Sequence, residues 1–191
     1  MNQGTDIQLL HGGHRGAEAE FGLAAEAWGI GETTLSFEGH KMERARNVRV
    51  LDDDELAKGQ VSMEFVFQRM GRRFAVGHGL RRVIQSMFHL VVDSDELFAI
   101  GWILPDNTVK GGTGWGVELA KVFNRRVHVF DQEKQAWFTW TNHRWEQSEP
   151  SFGGRSISAT GTRNLTDAGK NAIQGLFERS LGKAGVSASV H

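Results

Sequence analysis

"VKGGTGWGVELAKVFNRRVHVFD", residues 109–131, is the stretch whose reading decides the fold. Gly111, Gly112, Gly114 and Gly116 crowd into six positions, with Thr113 and Trp115 between them. A helical pattern over 116–124 follows, and then "RRVHVFD" (125–131), a strand pattern. Glycine permits the positive φ angles of a tight turn and removes the Cβ that would hold a ligand away. A helix that starts at such a turn offers N–H groups without intrahelical partners and partial positive charge. That is a natural seat for a phosphate. The competing reading is a strand-to-helix turn that holds nothing.

Working outward, the same order repeats. Residues 7–10 read as a short buried strand, "HGGHRG" (11–16) as a second glycine-rich turn, and "AEAEFGLAAEAW" (17–28) as an amphipathic helix stopped by Gly29. "ETTLSFEG" (32–39) alternates as a strand, and 40–50 reads as an Arg-rich loop. Residues 51–71 open with acids suited to a helix N-terminus, but Val61, Phe65, Val66 and Phe67 leave helix and strand both open. Residues 79–92 pattern as a helix and "DELFAIGWIL" (95–104) as a buried strand. "AWFTW" (136–140) reads as an edge strand with Trp137 and Trp140 on opposite faces, and 165–181 as the last helix. Strands alternating with helices predict an α/β fold, a Rossmann-like three-layer sandwich with a mostly parallel central sheet. In such sheets ligands sit at the carboxyl ends of the strands, where the strand order reverses.

Composition narrows the function. The 191 residues suit one domain, expected over 1–182 with a frayed tail at 183–191. With no cysteine there is no disulfide, no thiolate metal site and no cysteine nucleophile. A formal net charge of −1 with interspersed signs gives no nucleic-acid footprint. No apolar run approaches a membrane span of ~20 residues, and the first residues lack the pattern of a secretory signal. The expected location is the cytoplasm.

Several residues carry candidate chemistry. In the first turn Gly12, Gly13, Arg15 and Gly16 are candidates for phosphate contact. His11 and His14 flank that turn and suit phosphate or metal, but their spacing matches no metal motif. Neither glycine turn is a Walker loop or a GxGxxG. Arg81 and Arg82 suit a bidentate phosphate clamp or a solvated helix start. Arg44, Arg46 and Arg49 face a ribose or a second phosphate, or form an exposed charged loop. "ATGTRNL" (159–165) offers Gly161, Thr162 and Arg163 as a third element of an anion pocket, with Asn164 or Thr166 as cap of the last helix. Trp137, Trp140 and Trp145 pack on the sheet, stack a base or serve an oligomer interface. No GxSxG elbow supports serine hydrolysis.

The two turns together resemble the SLOG-like Rossmann superfamily, which joins the Lonely Guy phosphoribohydrolases, the DNA-processing protein A Rossmann domain and the molybdenum-cofactor carriers. Lonely Guy proteins carry PGGxGTxxE. Here "KGGTGWGVE" places Lys110 at the proline, Trp115 at the threonine and Glu118 at the glutamate. "DSDELFAIG" (93–101) resembles the family's strand "DAFIALPGG". The resemblance spans roughly residues 5–131. It implies hydrolysis of the N-glycosidic bond of a nucleoside monophosphate, with Glu118 and Arg82 catalytic and Arg81, Gly111, Gly112, Thr113, Gly114 and Trp115 around the phosphate. It also implies a homodimer and requires no cofactor or metal. Glu118 has a second reading, a helix-start acid offsetting the dipole, worth ~0.3–1 kcal/mol. The alternatives to the enzyme are a non-catalytic sensor or carrier of a nucleotide or pterin-like cofactor, and an interaction protein whose pocket is vestigial.

Overall fold

The computed structural model describes residues 6–72 and 77–183. One mixed sheet of eight strands runs through it: β1 (Gln8–His11), β2 (Gly31–Phe37), β3 (Val48–Leu51), β4 (Glu96–Gly101), β5 (Arg126–Asp131), β6 (Ala136–Thr141), β7 (Arg144–Ser148) and β8 (Ser156–Gly161). The helices are α1 (Ala17–Trp28), α2 (Asp53–Lys58), α3 (Gln60–Arg69), α4 (His78–Val92), α5 (Thr113–Val122) and α6 (Asp167–Leu181). The strand order is β3-β2-β1-β8-β4-β5-β6-β7. All pairings through β5 are parallel, while β6 and β7 add an antiparallel hairpin. This is the expected three-layer sandwich.

Alternation on the inner strands explains the layers. On β4, Phe98 and Ile100 face a core shared with α1 and α6, which contribute Phe21, Ile173 and Phe177. Leu97 and Ala99 face the opposite core, built with Met63 and Val66 of α3, Ile84 of α4, and Val117 and Leu119 of α5. Trp137 joins the first core and Trp140 packs on the second, so the two indoles lie on opposite faces as their spacing implies.

Some elements depart from the sequence reading, and one segment that it left open is settled. The Arg-rich stretch contains β3, which pairs with β2 from Thr34↔Val48 to Phe37↔Leu51. The segment left open between helix and strand forms two helices, α2 and α3, divided at Gly59, with Asp52 and Glu55 forming a capping box at the start of α2. The 136–140 strand is internal, because β7 pairs outside it through the left-handed turn at Asn142 and His143. The largest departure is β8, to which the sequence reading assigns no element, and which lies at the centre of the sheet between β1 and β4.

Two acids on the β4 entry hold β8 there. Glu96 Oε1 accepts from the N–H groups of Gly153 and Gly154 at 2.8 and 3.0 Å, and Asp95 Oδ2 from Arg155 and Ser156 at 3.0 and 3.1 Å. The expected tail lies, from residue 184 onward, outside the described residues. Among the described residues no helix is long and apolar enough to cross a membrane.

Candidate functional site

The strand order reverses between β1 and β4, and β8 fills the gap. The loops after these three strands therefore meet at one end of the sheet. A cleft of about 500 Å³ lies there, within the range of small-molecule sites. Its walls come from His14 and Glu18 after β1, from Trp102 and the Lys110–Thr113 turn after β4, and from Thr160–Asn164 at the end of β8 and just beyond it. Leu80, Val83 and Met87 of α4 close it with an apolar side.

Glu18 joins the β1 and β8 walls. It is 3% exposed, yet its carboxylate is fully engaged. Oε2 accepts from Gly12 N–H at 3.0 Å, His14 N–H at 3.1 Å and His14 Nδ1 at 2.9 Å, and Oε1 accepts from the Thr160 hydroxyl at 3.1 Å. Burial alone would push this carboxyl up, but the hydrogen bonds and charge of His14 outweigh it and hold it below the ordinary value. Burial likewise opposes a charged His14, and Glu18 reverses that, leaving His14 above the ordinary imidazole value. His14 Nε2 in turn lies 3.0 Å from Nε2 of His40, whose ring stacks on Phe37. Burial, and then the charge of His14, pull His40 down to about 4.

A second network lies beside it. Arg44 and His11 both bind Glu32, and against its burial they take Glu32 down to about 2. These shifts give a signed acid response. The unfolded chain protonates His40 near 6.5 and the native state only near 4, so stability falls as pH drops through that window. Glu32 and Glu18, both depressed, withdraw further stability below 4.5. His14, raised, acts oppositely: its contribution is complete below 6.5 and is lost as pH rises through its native value. Urea melts at pH 7, 5.5 and 4 should show a decline that begins above the carboxylate range. A flat response from 7 to 5 would contradict the His40 placement.

The glycines divide by role. Gly13 and Gly16 have φ of +71° and +91°. A Cβ on Gly13 would meet Arg44 O at 2.2 Å, and one on Gly16 would meet Thr162 O at 2.5 Å. Both therefore serve loop-on-loop packing. Gly12 faces Glu18 and His14. Gly114 lies inside α5, where a Cβ would strike Val109 O at 2.1 Å. Gly111 needs glycine for its φ of +71° and has open space around it. Gly112 is the N-cap of α5 with helical φ and ψ and no side-chain cap bond. A Cβ there would meet only the Trp115 ring, at 3.7 Å.

Of the residues expected at the site, Gly111, Gly112, Thr113 and Trp115 line the cleft. Gly12, Gly13, Gly16 and Gly114 shape its turns without lining it, and the Arg15 side chain is 79% exposed beside Glu43. Glu118, Arg81 and Arg82 are not among the lining residues. Helix α5 begins at Thr113 rather than 116, so Glu118 falls on its second turn. Its carboxylate bonds Lys121 Nζ at 2.6 Å and lies 3.8 Å from Arg69. Lys121 is sandwiched against Trp140 and Trp145, and burial outweighs Glu118 to lower its pKa. Arg82 binds Asp53 and Glu38 O, and with Arg81 it lines a different cavity, beside α2. The structure thus does not bring Glu118 and Arg82 together. Arg44, Arg46 and Arg49 are occupied by Glu26, Glu32, Glu55 and Asp93.

The cleft gathers other residues instead. Lys110 stands over the Trp102 ring at 5.7 Å, and Arg163 lies in the wall that follows β8. Trp115 lines the cleft with its buried indole N–H lacking a hydrogen-bond partner among the described residues. The Trp145 indole and Lys121 Nζ both donate to Asn107 O, at 3.0 and 2.9 Å, and so brace the β4–α5 loop from behind. Glu18 escaped sequence reading because an acid in a first helical turn looks like a dipole partner. Only β8, with Thr160, reveals it as a hub. Among the described residues no group of three or more His, Asp or Glu is disposed to hold a metal.

No protein-family model matches the chain, and no curated protein matches it. Its structure is similar to the crystal structure, from Syntrophus aciditrophicus SB, of a protein bearing the name "Putative molybdenum carrier protein". The two share 15% sequence identity with a TM-score of 0.52, over 93% of this chain and 97% of that one. The likeness is one of fold.

Proposed function

We propose that this protein binds a small anionic ligand of the nucleotide class in the cleft at the carboxyl ends of β1, β4 and β8, and holds it without turning it over. The observation that carries this is the convergence of a helix start without a side-chain cap, where Gly114 and Trp115 N–H bond back to Gly111 and Gly112 O, with two cationic side chains, Lys110 and Arg163, at the point where the strand order reverses. Such a helix start favours an anion through its N–H groups and dipole. The indoles of Trp102 and Trp115 and the apolar side of α4 suit a flat ring attached to that anion.

Holding is favoured over N-glycosidic hydrolysis by the disposition of the carboxylates. Glycoside cleavage uses a carboxylate at the reacting carbon. Glu118 is tied to Lys121 away from the cleft, and Glu18 spends its oxygens on four donors. The name of the similar structure adds a molybdenum-bearing ligand to the same reading.

A thermal-shift panel tests it: AMP, ADP, ATP, ADP-ribose, a pterin phosphate and molybdate. A probe at 100 times its Kd stabilises by ~2.7 kcal/mol, roughly 5–10 °C in a domain of this size. The expected result is a shift with one anionic class, reduced by Arg163→Ala, and no free base in the AMP sample. No shift across the panel would sink the binding reading. Release of adenine would sink the claim that nothing is turned over.

A further inference from the structure

The geometry points to anion binding in the cleft being coupled to the uptake of one proton, carried by the His14–His40 pair, with the dianionic form of a phosphate monoester as the ligand. This rests on the cleft being an anion site.

The proton count follows from who faces whom. An ionised carboxylate only accepts, so Glu18 fixes a hydrogen on Nδ1 of His14. The two Nε2 atoms are 3.0 Å apart, which leaves room for one hydrogen between them. Without an added proton, that hydrogen belongs to His40 and points at His14. Nδ1 of His40 is then a bare lone pair, consistent with its having no partner among the described residues. An added proton enters at His40 Nδ1, and the shared hydrogen passes to His14. His14 becomes an imidazolium between Glu18 and the cleft, and His40 stays neutral. A second added proton has no place on the line between the rings, so the pair takes up one charge. The depressed value of His40 and the raised value of His14 agree with this order.

The surroundings set the direction of the coupling. Glu18, from α1, favours the charge on His14, and Arg163, from the β8–α6 loop, opposes it. His40 faces it from the 38–47 loop. Lys110 shares the cleft, while Arg15, on the same turn, is exposed beside Glu43. An anion seated between Lys110 and Arg163 offsets the opposing charge and adds an attraction of its own. It therefore favours the protonated pair. By linkage, protonation must favour the anion to the same degree.

The test is calorimetric titration of the wild-type protein with AMP, and separately with inorganic phosphate, from pH 7.5 to 9. A phosphate ester has its second pKa near ~6, so the probes are already dianionic there, and Lys and Arg keep their charge. The expected result is affinity for AMP falling up to about tenfold per pH unit above the His14 value. The apparent enthalpy should also depend on the ionisation heat of the buffer, reporting uptake of up to one proton. His14→Gln should bind AMP at pH 7.5 as weakly as wild type does at pH 9, with no slope. Its melting curve separates this from misfolding. Binding that is tight but flat with pH, with no buffer dependence, would overturn the coupling and leave the cleft intact. No heat from either probe at pH 7.5, with no thermal shift at pH 6.5, would remove the anion site itself and the coupling with it.

Discussion

Glu18→Ala should lower unfolding free energy by about 3–5 kcal/mol, the usual cost of deleting one partner of a buried charged pair. Four donors converge on this carboxylate, two of them backbone N–H groups of the first turn and one the Thr160 hydroxyl of β8. Alanine strands all of them in a site that is 3% exposed. Each buried donor left unmade costs roughly 1–3 kcal/mol, less what water recovers. For a chain of this length the loss corresponds to a fall in Tm of roughly 6–20 °C, at about 2–4 °C per kcal/mol. Glu43→Ala, removing an acid whose side chain is 55% exposed, should stay within about 0.5 kcal/mol. Urea denaturation of both variants decides the point. A loss under about 1 kcal/mol at Glu18 would mean that the backbone ladder and packing suffice to join β1 and β8.

The second large effect separates two glycines that sequence cannot tell apart. Gly112→Val should cost up to about 1 kcal/mol as an N-cap change, because nothing but the Trp115 ring stands near its Cβ. It places a branched side chain at the mouth of the cleft, where the helix start receives the anion. Binding of AMP should weaken by at least about 100-fold, equivalent to ~2.7 kcal/mol. Gly114→Ala should behave in the opposite sense. Its Cβ meets the Val109 carbonyl at 2.1 Å, backbone against backbone. Stability should fall by about 1–3 kcal/mol from overpacking, and binding should follow only as far as the turn is displaced. Melting curves and AMP titrations of the two proteins form the comparison. Unchanged affinity in Gly112→Val would remove the α5 start from the site.

How far the sequence could be read depended on what each segment shows in its side chains. Gly–helix–strand successions at 11–37 and 109–131 name their elements because glycine, helical period and apolar alternation agree there. That placed both turns at one end of a parallel sheet, and it made Arg163 a candidate third wall. The strand β8, "SISATG", alternates only Ile157 and Ala159 with small polar residues, and it follows the glycine-bearing stretch "SFGGR". Ser158 and Thr160 are buried polar residues, and their hydroxyls find partners on β4 and on Glu18 that are far away in sequence. A strand at the centre of the sheet thus looks like a loop. Glu118 shows a related limit. Its spacing from the glycines matches the PGGxGTxxE pattern, but spacing does not say which side of a helix faces the cleft. Lys121, three residues on and held by the Trp140–Trp145 pair on the same face of the sheet, binds the carboxylate. Likewise β3 escaped notice because Val48 and Val50, at 42% and 63% exposed on an open edge, bury too little to pattern.

The central position of β8 also bears on how the chain comes to be folded. During synthesis β1 and β4 exist long before residues 156–161 leave the ribosome. Each then waits with an open backbone edge on the side that β8 will occupy. Such edges recruit foreign strands, and contacts that must wait for distant sequence form slowly. A nascent chain halted between β7 and β8 would hold two half-sheets with no seam and no cleft. Ligand could not rescue it, since ligand stabilises only a state that already binds. This protein should therefore depend on chaperones more than its size suggests, and it should gain ligand protection abruptly, once the last strand has been inserted.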